Sequence, residues 1–197
     1  SHQDSLGNDS GIDDPFGAIL AGAYAQRLQS FPDLVVGAGL FASGGTGFGY
    51  ESLLTDYGSR DTLSSNIGIF KLLGSVAWNA SEQLRLGAAF GVSYAIARQK
   101  VFPNTSDNSN PAEPFFGLRF DGGQAVAPNL QLGLQYLPTP TLTLALTYNR
   151  KTELAVKDAT ATFNFESIGF DRVRYENARI DGFALPEEID VGVAYQV

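Results

Sequence analysis

The stretch Leu84-Arg85-Leu86-Gly87-Ala88-Ala89-Phe90-Gly91-Val92-Ser93-Tyr94-Ala95-Ile96 decides the fold. Every second residue from Leu84 to Ile96 is apolar or amphipathic, and the residues between them are mostly small or polar. Successive side chains of a β-strand point to opposite faces, so the stretch predicts a strand with one apolar face. The i, i+3, i+4 spacing of an amphipathic helix is absent. A tilted strand crosses a bilayer with about 9–11 residues, whereas strands of soluble proteins have about 5–6, so this length favours a membrane strand.

The same alternation recurs along the chain and predicts about seven long strands. The strand that contains Leu84–Ile96 continues to about residue 102, and the other predicted strands are 16–24, 34–41, 64–79, 115–136, 141–149 and 189–197. A bulge is predicted at Asp121-Gly122-Gly123, and the sixth strand is open to extension through Lys157.

The predicted connections alternate in length. Those near 26–33, 79–83 and 137–140 are short, and those near 43–62, 103–114 and 150–188 are long. Segment 150–188 is open to two interpretations, an extended hairpin arm or a long loop. Short turns at one end and long loops at the other are typical of an outer-membrane barrel. The sequence therefore predicts an all-β, antiparallel transmembrane β-barrel with its longer loops outside the cell.

The amino-acid composition excludes some classes of protein and favours others. No apolar run is long enough for a transmembrane helix, and the 22 glycines and 12% aromatic residues suit closely spaced strands with aromatic girdles. Tyr24, Trp78 and Tyr136 fall at strand ends beside the short turns, where such girdles lie. The absence of cysteine excludes disulfides, and the net charge of −8 argues against a nucleic-acid or anionic-membrane surface.

Two regions are predicted. Residues 1–14 are polar and acidic and read as a flexible tail, and residues 15–197 carry the barrel pattern. Ser1-His2-Gln3 does not resemble a natural start, so we expect a chain that was processed, tagged or cut from something longer. No metal or catalytic role is predicted for His2.

No enzyme chemistry is predicted. The glycine-rich run Gly44–Tyr50 lacks the Gly-Lys-Ser/Thr of a phosphate loop, and the polar segment 103–114 lacks EF-hand spacing. Glu187 and Glu188 are adjacent and would point to opposite faces of a strand. There is no nucleophile elbow, no metal-ligand spacing and no histidine beyond His2, so neither enzyme activity nor a metal or cofactor is expected.

Several segments resemble one family in the same order along the chain. Val36–Gly47 is similar to its glycine-rich segment, and Ser75–Trp78 followed by Glu82–Ala89 is similar to a strand, turn and strand. Leu132–Tyr136, Leu144–Thr152 and Leu185–Tyr195 match later segments. The family is that of the outer-membrane long-chain fatty acid and aromatic hydrocarbon transporters, the FadL/TodX family.

The resemblance implies barrels of about fourteen strands with an N-terminal plug, which pass hydrophobic molecules by diffusion through a lumen site and a lateral opening. The resemblance covers residues 16–197. The sequence lacks a counterpart of the plug and of the later strands, so its seven strands would be half of such a barrel. We therefore expect a segment or a shortened relative of a passive transporter for fatty acid-like or aromatic hydrocarbons in the bacterial outer membrane.

The expected partners are the lipid bilayer, a hydrophobic small molecule, and either a second copy or a missing half-barrel that covers the sheet edges. Candidate ligand contacts are the aromatic residues of loops or strand ends: Phe41, Phe48, Tyr50, Phe115 and Phe116. Ordinary packing or girdle positions are the alternative for all five. The alternative function is a soluble or self-assembling β-sheet structural or adhesive protein without transport activity.

Overall fold

The computed structural model describes residues 2–11 and 21–196, which are almost entirely β-structure with a short 3-10 helix at Glu166–Ile168. Within these ranges, no helix is long and apolar enough to cross a membrane. The strands in chain order are β1 (His2–Gln3), β2 (Asp9–Ser10), β3 (Ala21–Leu28), β4 (Phe31–Leu54), β5 (Arg60–Asn79), β6 (Leu84–Asp107), β7 (Phe115–Thr139), β8 (Leu142–Asn149), β9 (Thr152–Glu153), β10 (Val156–Phe163), β11 (Val173–Ile180), β12 (Ala184–Leu185) and β13 (Glu188–Tyr195).

Strands β3 to β7 form an antiparallel meander in which each strand pairs with the next. The far side of β7 pairs with β10 near its start and with β8 near its end. These two strands pair in turn with β11 and β13, and β9 pairs with β12 between them. The sheet is therefore seven strands wide, its last two positions each being built from three successive pieces. This confirms the predicted antiparallel architecture, and within the described residues the sheet is open at β3 on one side and at β11, β12 and β13 on the other.

The connections lie at two ends of the sheet. We call the end with the short turns at 29–30, 80–83 and 140–141 the proximal end, and the end with the hairpins at 55–59, 108–114 and 164–172 the distal end. The difference in loop length is confirmed, although it is smaller than the sequence predicted. The predicted start of the first strand at 16–20 lies outside the described residues.

Two predicted long loops are shorter than expected, because strands continue through most of 43–62 and through 103–107 of the predicted loop 103–114. Strand β4 extends to Leu54 and β6 to Asp107, so the polar and glycine-rich residues near them belong to the sheet. Gly45 shows why the glycines are there: a Cβ at this position would lie 2.7 Å from the Ile67 carbonyl oxygen. Polar composition marked these segments as loops, yet strand pairing is made by backbone hydrogen bonds and needs no apolar alternation.

Segment 150–188 is an extended hairpin arm, which is one of the two predicted interpretations. Its strands β10 and β11 prolong the sheet beyond β8 and β13. The predicted bulge near Gly122 is also present, because the β6–β7 register shifts between Ala97 and Gln99 and Gly122 has a φ of 76°. This bulge sets which face the distal residues of β7 occupy.

Cross-strand pairing assigns the two faces of the sheet. Directly opposed residues share a face, so each row of partners across the strands has one environment. We call the face that carries most of the exposed large apolar side chains the convex face, and the opposite face the concave face. One row on the convex face is apolar throughout: Leu34, Trp78, Leu86, Leu134, Leu146 and Val191. The neighbouring row lies on the concave face and is smaller and more polar: Val35, Ala77, Gly87, Gly133, Thr147 and Asp190.

The convex face is a broad exposed apolar band. Phe90 is 65% exposed and Val126 68%, whereas Ser93 on the concave face of β6 is fully buried. Tyr24, Trp78 and Tyr136 are exposed at the proximal edge of the band, where girdle residues were predicted. Exposed apolar surface of this extent marks an interaction surface.

Glycine in the central ladder is required where neighbouring backbones approach closely. A Cβ at Gly91 would lie 2.0 Å from the Leu72 carbonyl oxygen and 2.9 Å from the Leu73 Cα. Gly133 lies on the same face of the adjacent strand, and a Cβ there would have no atom within 4 Å. The two positions form a matched pair.

We expect Gly91→Ala to lower the free energy of unfolding by about 1–3 kcal/mol, because the methyl group must displace backbone. Gly133→Ala should leave it within about 0.5 kcal/mol of the parent. Urea titration of the chain in detergent micelles, followed by the electrophoretic shift of folded barrel protein, measures both. Equal midpoints for the two variants would show that the close approach at Gly91 is not a packing constraint.

Candidate functional site

Three of the predicted ligand contacts lie on the concave face of β4. Phe41, Phe48 and Tyr50 are opposite Lys71, Ser65 and Leu63, which all belong to that face of β5. The rings of Phe48 and Tyr50 are in contact, with centroids 5.8 Å apart. Phe41 lies about seven residues, or roughly 23 Å, closer to the proximal end along the strand. The structure therefore brings two of these three residues together.

Phe115 and Phe116 are neighbours in the chain and point to opposite faces of β7. Phe115 stacks on Tyr57, with centroids 4.7 Å apart and the planes at 18°. Phe116 contacts Phe165 instead, at 4.8 Å. The five predicted residues thus occupy separate places and form no single site. Their role as ligand contacts stays a prediction.

Sequence reasoning missed other aromatic residues that pack with these five. Phe163 continues the cluster of Phe116, with centroids 6.0 Å from Phe165 and 5.9 Å from Tyr175. The i, i+2 spacing of Phe163 and Phe165 was a signal of a shared face, but it lies in a segment whose structure the sequence left open. The residues missed are Tyr57, Phe102, Phe163, Phe165 and Tyr175.

A buried apolar region lies on the concave face beyond the middle of the sheet. We call it the inner apolar patch, and its members are Ile69, Ala95, Ala97, Phe120, Ala125, Ala127, Leu154, Val156, Ala159 and Ala161. Leu154 covers it, because the chain between β8 and β10 turns inward and the Leu154 N–H donates to the Phe183 carbonyl oxygen at 2.9 Å. Leu154 is fully buried as a result.

A small cavity opens beside this patch. Its volume is about 50 Å³, and apolar side chains line it throughout: Ile67, Ala95, Ile96, Ala97, Val156, Ile180 and Phe183. Small residues at Ala95 and Ala97 create the space, since larger side chains there would fill it. An enclosed space without polar lining suits an apolar group.

The patch ends abruptly toward the proximal end. Ser93 is fully buried and Asn129 is 3% exposed, and the Ser93 Oγ and the Asn129 Oδ1 have no hydrogen-bond partner. The Asn129 side-chain amide donates to the Thr152 Oγ1 at 3.1 Å. Two unpaired buried acceptors are costly, and a donor that reaches them is favoured. The concave face is therefore apolar on the distal side of Ser93 and carries mainly small and polar residues on the proximal side.

The described N-terminal residues form a small hairpin at the distal end, where the sequence predicted a tail. The Asn8 side chain donates to the Leu54 carbonyl oxygen at 2.8 Å and accepts from the Leu54 N–H at 2.7 Å. The His2 ring lies 5.3 Å from the ring of Tyr50. The hairpin thus docks next to the Phe48–Tyr50 pair.

Asp4 holds this hairpin together. Its carboxylate accepts from the Asn8 side-chain amide at 2.8 Å and from the backbone N–H groups of Leu6 and Asn8 at 3.0 and 3.1 Å. The hydrogen bond from the Asn8 side chain is the main cause that lowers the pKa of Asp4 from 3.8 to about 2.

Within residues 2–11 and 21–196, no cluster of three or more His, Asp or Glu side chains is placed to hold a metal ion. Arg85 lies on the concave face opposite Gln135, and no described carboxylate pairs with it. The site is an apolar and aromatic surface.

Comparison with solved structures defines the class of fold. The chain has the fold of hydrocarbon-channel barrels, and the resemblance drawn from the sequence is confirmed at that level. No protein-family model matches the chain, and no curated protein matches its sequence.

Three of the similar structures are a toluene transporter and two hydrocarbon channels. TbuX, the toluene transporter of Ralstonia pickettii, has a TM-score of 0.69 and 20% identity over 89% of this chain and 50% of its own. A TodX ΔS2S3 mutant, a monoaromatic hydrocarbon channel, gives 0.68 and 21% over 89% and 50%. The CymD monoaromatic hydrocarbon channel gives 0.63 and 16% over 90% and 53%. The chain thus spans about half the length of the structures it matches.

We predict that the N-terminal hairpin loosens as the pH falls from 3.8 toward about 2. A carboxyl with a lowered pKa stabilises the folded form above its unfolded pKa, and this contribution is lost as it becomes protonated. Titration of the Asp4 carboxyl carbon by NMR measures the midpoint. Asn8→Ala should move that midpoint up toward 3.8. An unchanged midpoint in this variant would contradict the assigned cause.

Proposed function

We propose that this chain forms the wall of an outer-membrane channel that passes small hydrophobic molecules by passive diffusion. The observation that carries the proposal is the presence of two separate apolar surfaces on one sheet. The convex band is exposed and extends across the strands, and the inner apolar patch lies on the opposite face with its own cavity. Burial in a membrane would explain the apolar character of the convex band. It would not explain the inner apolar patch, which lies on the opposite face.

The lining supports diffusion rather than tight capture. From the distal end, an apolar molecule meets the Phe48–Tyr50 pair, then the inner apolar patch, and then the polar boundary at Ser93 and Asn129. Conduction requires sites that bind well enough to admit a ligand and weakly enough to release it. A cavity of about 50 Å³ encloses only part of an aromatic ring, so retention is brief.

Aromatic hydrocarbons are the favoured ligand class. Support comes from the neighbours in fold, which are a toluene transporter and monoaromatic hydrocarbon channels. Ring-lined surfaces also suit aromatic ligands, which stack on or pack edge to face against such rings. Fatty acid-like molecules remain the second ligand class, because the lining has no feature that excludes an acyl chain.

The two open edges make a partner part of the proposal. Exposed β3 and β13 edges would leave unpaired backbone groups in hydrocarbon, where each is costly. A second copy of this chain or a further half-barrel would pair with them and close the wall. The same edges support the alternative function, a self-assembling β-sheet structural or adhesive protein.

Cell fractionation separates the two functions. A channel wall is expected in the outer-membrane fraction of Gram-negative cells that express the full chain, and to require detergent for extraction. Recovery of the chain in the aqueous fraction as a soluble assembly would favour the structural alternative and overturn the channel.

We expect Ala97→Phe to lower the accumulation of radiolabelled toluene in these cells about tenfold. This factor corresponds to a steric penalty of ~1.4 kcal/mol added by the larger side chain. The new ring fills the cavity beside the inner apolar patch. Ala88→Phe makes the same change on the convex face of the same strand and should leave uptake unchanged.

Quantities of folded chain in the outer membrane are matched by electrophoretic heat-shift before rates are compared. Equal uptake by the Ala97→Phe and Ala88→Phe variants would contradict passage along the concave face. Uptake no higher than in cells without the chain would contradict transport altogether.

A further inference from the structure

The convex face changes character beyond the distal edge of the apolar band. On β6, Ile96 is the last apolar residue of this face, and Arg98 and Lys100 follow on it. On β7, exposed Val126 is followed by Gln124, whose side chain accepts from the Tyr94 hydroxyl at 3.2 Å. Across the Gly122 bulge, the next cation of this face is Arg119. The apolar band is therefore bordered by a polar and then a basic zone.

Register places the cations side by side. Lys100 pairs with Arg119, and Arg119 pairs on its other side with Thr162. Like charges directly opposite each other in a sheet are destabilising. Arg119 has an ion pair with Asp121, but Lys100 has no carboxylate partner among the described residues. Placing these cations side by side does not stabilise the fold through charge pairing. An anion from outside the chain would therefore bind favourably between them.

A cavity marks where such an anion would lie. It has a volume of about 110 Å³ and is lined by Thr62, Lys100, Pro103, Asn104, Arg119, Thr162 and Arg172. A water molecule occupies about 30 Å³ in the liquid, so a phosphate-sized group fits with some of its hydration. Three of the seven lining residues are cationic, three carry a hydroxyl or an amide, and the seventh is Pro103.

Two of these side chains are held in position. The Arg172 guanidinium donates to the Asn104 Oδ1 at 3.1 Å and to the Glu166 Oε1 at 3.2 Å. Asn104 is itself fixed, because its side-chain amide donates to buried Asp61 at 3.0 Å. A preorganised guanidinium loses less entropy on binding a phosphate than a mobile one.

The local charge is the reverse of the whole chain. Five cationic residues form what we call the outer basic patch: Arg98, Lys100, Arg119, Arg172 and Arg174. Asp121, Glu166 and Glu176 pair with the three arginines at 119, 172 and 174. Arg98 and Lys100 remain uncompensated within the described residues, on a chain whose net charge is −8. The exclusion of anionic membrane surfaces drawn from total charge therefore does not hold for this patch.

We propose that the outer basic patch binds the phosphate of an anionic lipid headgroup in the outer leaflet, which rests on the proposed outer-membrane location. Arg98 and Lys100 lie about 7 and 13 Å along the strand from Ile96. Headgroups add several ångströms to each side of the hydrocarbon core, so this is their depth. A lipid seated there would place its acyl chains against the convex apolar band and its phosphate in the cavity.

The test is binding of fluorescently labelled diphosphorylated lipid A to the full chain in non-ionic detergent micelles. We expect Lys100→Gln/Arg119→Gln to weaken binding about 30-fold, from about fivefold for each cation near a membrane surface. Lys71→Gln/Arg85→Gln removes two cations from the concave face and should change affinity by less than about twofold. Lys100→Arg/Arg119→Lys keeps the charge and should retain most of the affinity.

Equal affinity in the Lys100→Gln/Arg119→Gln and Lys71→Gln/Arg85→Gln variants would overturn the proposal. Inorganic phosphate that displaces the label as well as unlabelled lipid A does would overturn the lipid as the source of the anion. Toluene uptake is measured on the same Lys100→Gln/Arg119→Gln variant and should not change. Lipid A binding without any uptake by the parent chain would refute the channel and leave this site standing.

Discussion

The antiparallel ladder of β5, β6 and β7 is the constraint on which the rest of the structure depends. Its register places Trp78, Leu86 and Leu134 in one row and Ala77, Gly87 and Gly133 in the next. Because the side-chain period is two, a slip of one residue would exchange the faces of a whole strand. Backbone pairing is also what allows a chain to lie in hydrocarbon at all, where unpaired N–H and C=O groups are costly. The same set of hydrogen bonds thus satisfies the backbone N–H and C=O groups and determines which side chains lie on which face of the sheet.

From this register follow four surfaces of different chemistry. The convex face is apolar through the exposed band and basic beyond it, and the concave face carries mainly small and polar residues near the short turns and is apolar beyond Ser93. Each boundary is set within one or two residues of a strand, as between Ile96 and Arg98. The inward turn before Leu154 completes the inner apolar patch, because it brings side chains from the chain around β9 onto the sheet. A barrel wall can in this way hold separate sites for a lipid outside and a small molecule inside.

The alternation of apolar residues in the sequence predicts the strands and their apolar faces. It predicts little of what depends on how the strands are aligned with one another. Alternation located the seven strands and the apolar face of Leu84–Ile96, since these are local properties. It stopped short at Ser43 and Phe102, because the distal continuations of these two strands are built largely from glycine and polar residues. The inner apolar patch was invisible for a different reason: Ala95, Ala97 and Ala125 are as small as residues that line water. Lys100 and Arg119 become neighbours only through a strand pairing that includes the Gly122 bulge.

The central claim is that the apolar residues of the alternation face hydrocarbon. The chain has no cysteine, so single cysteines at Phe90→Cys and Ala89→Cys can each carry a fluorophore without background labelling. With the chain in lipid vesicles, the account predicts that a bilayer-confined nitroxide quenches the label at 90 and that aqueous iodide quenches the label at 89. Preferential quenching of the label at 89 by the nitroxide, or equal quenching of both labels by iodide, would contradict it.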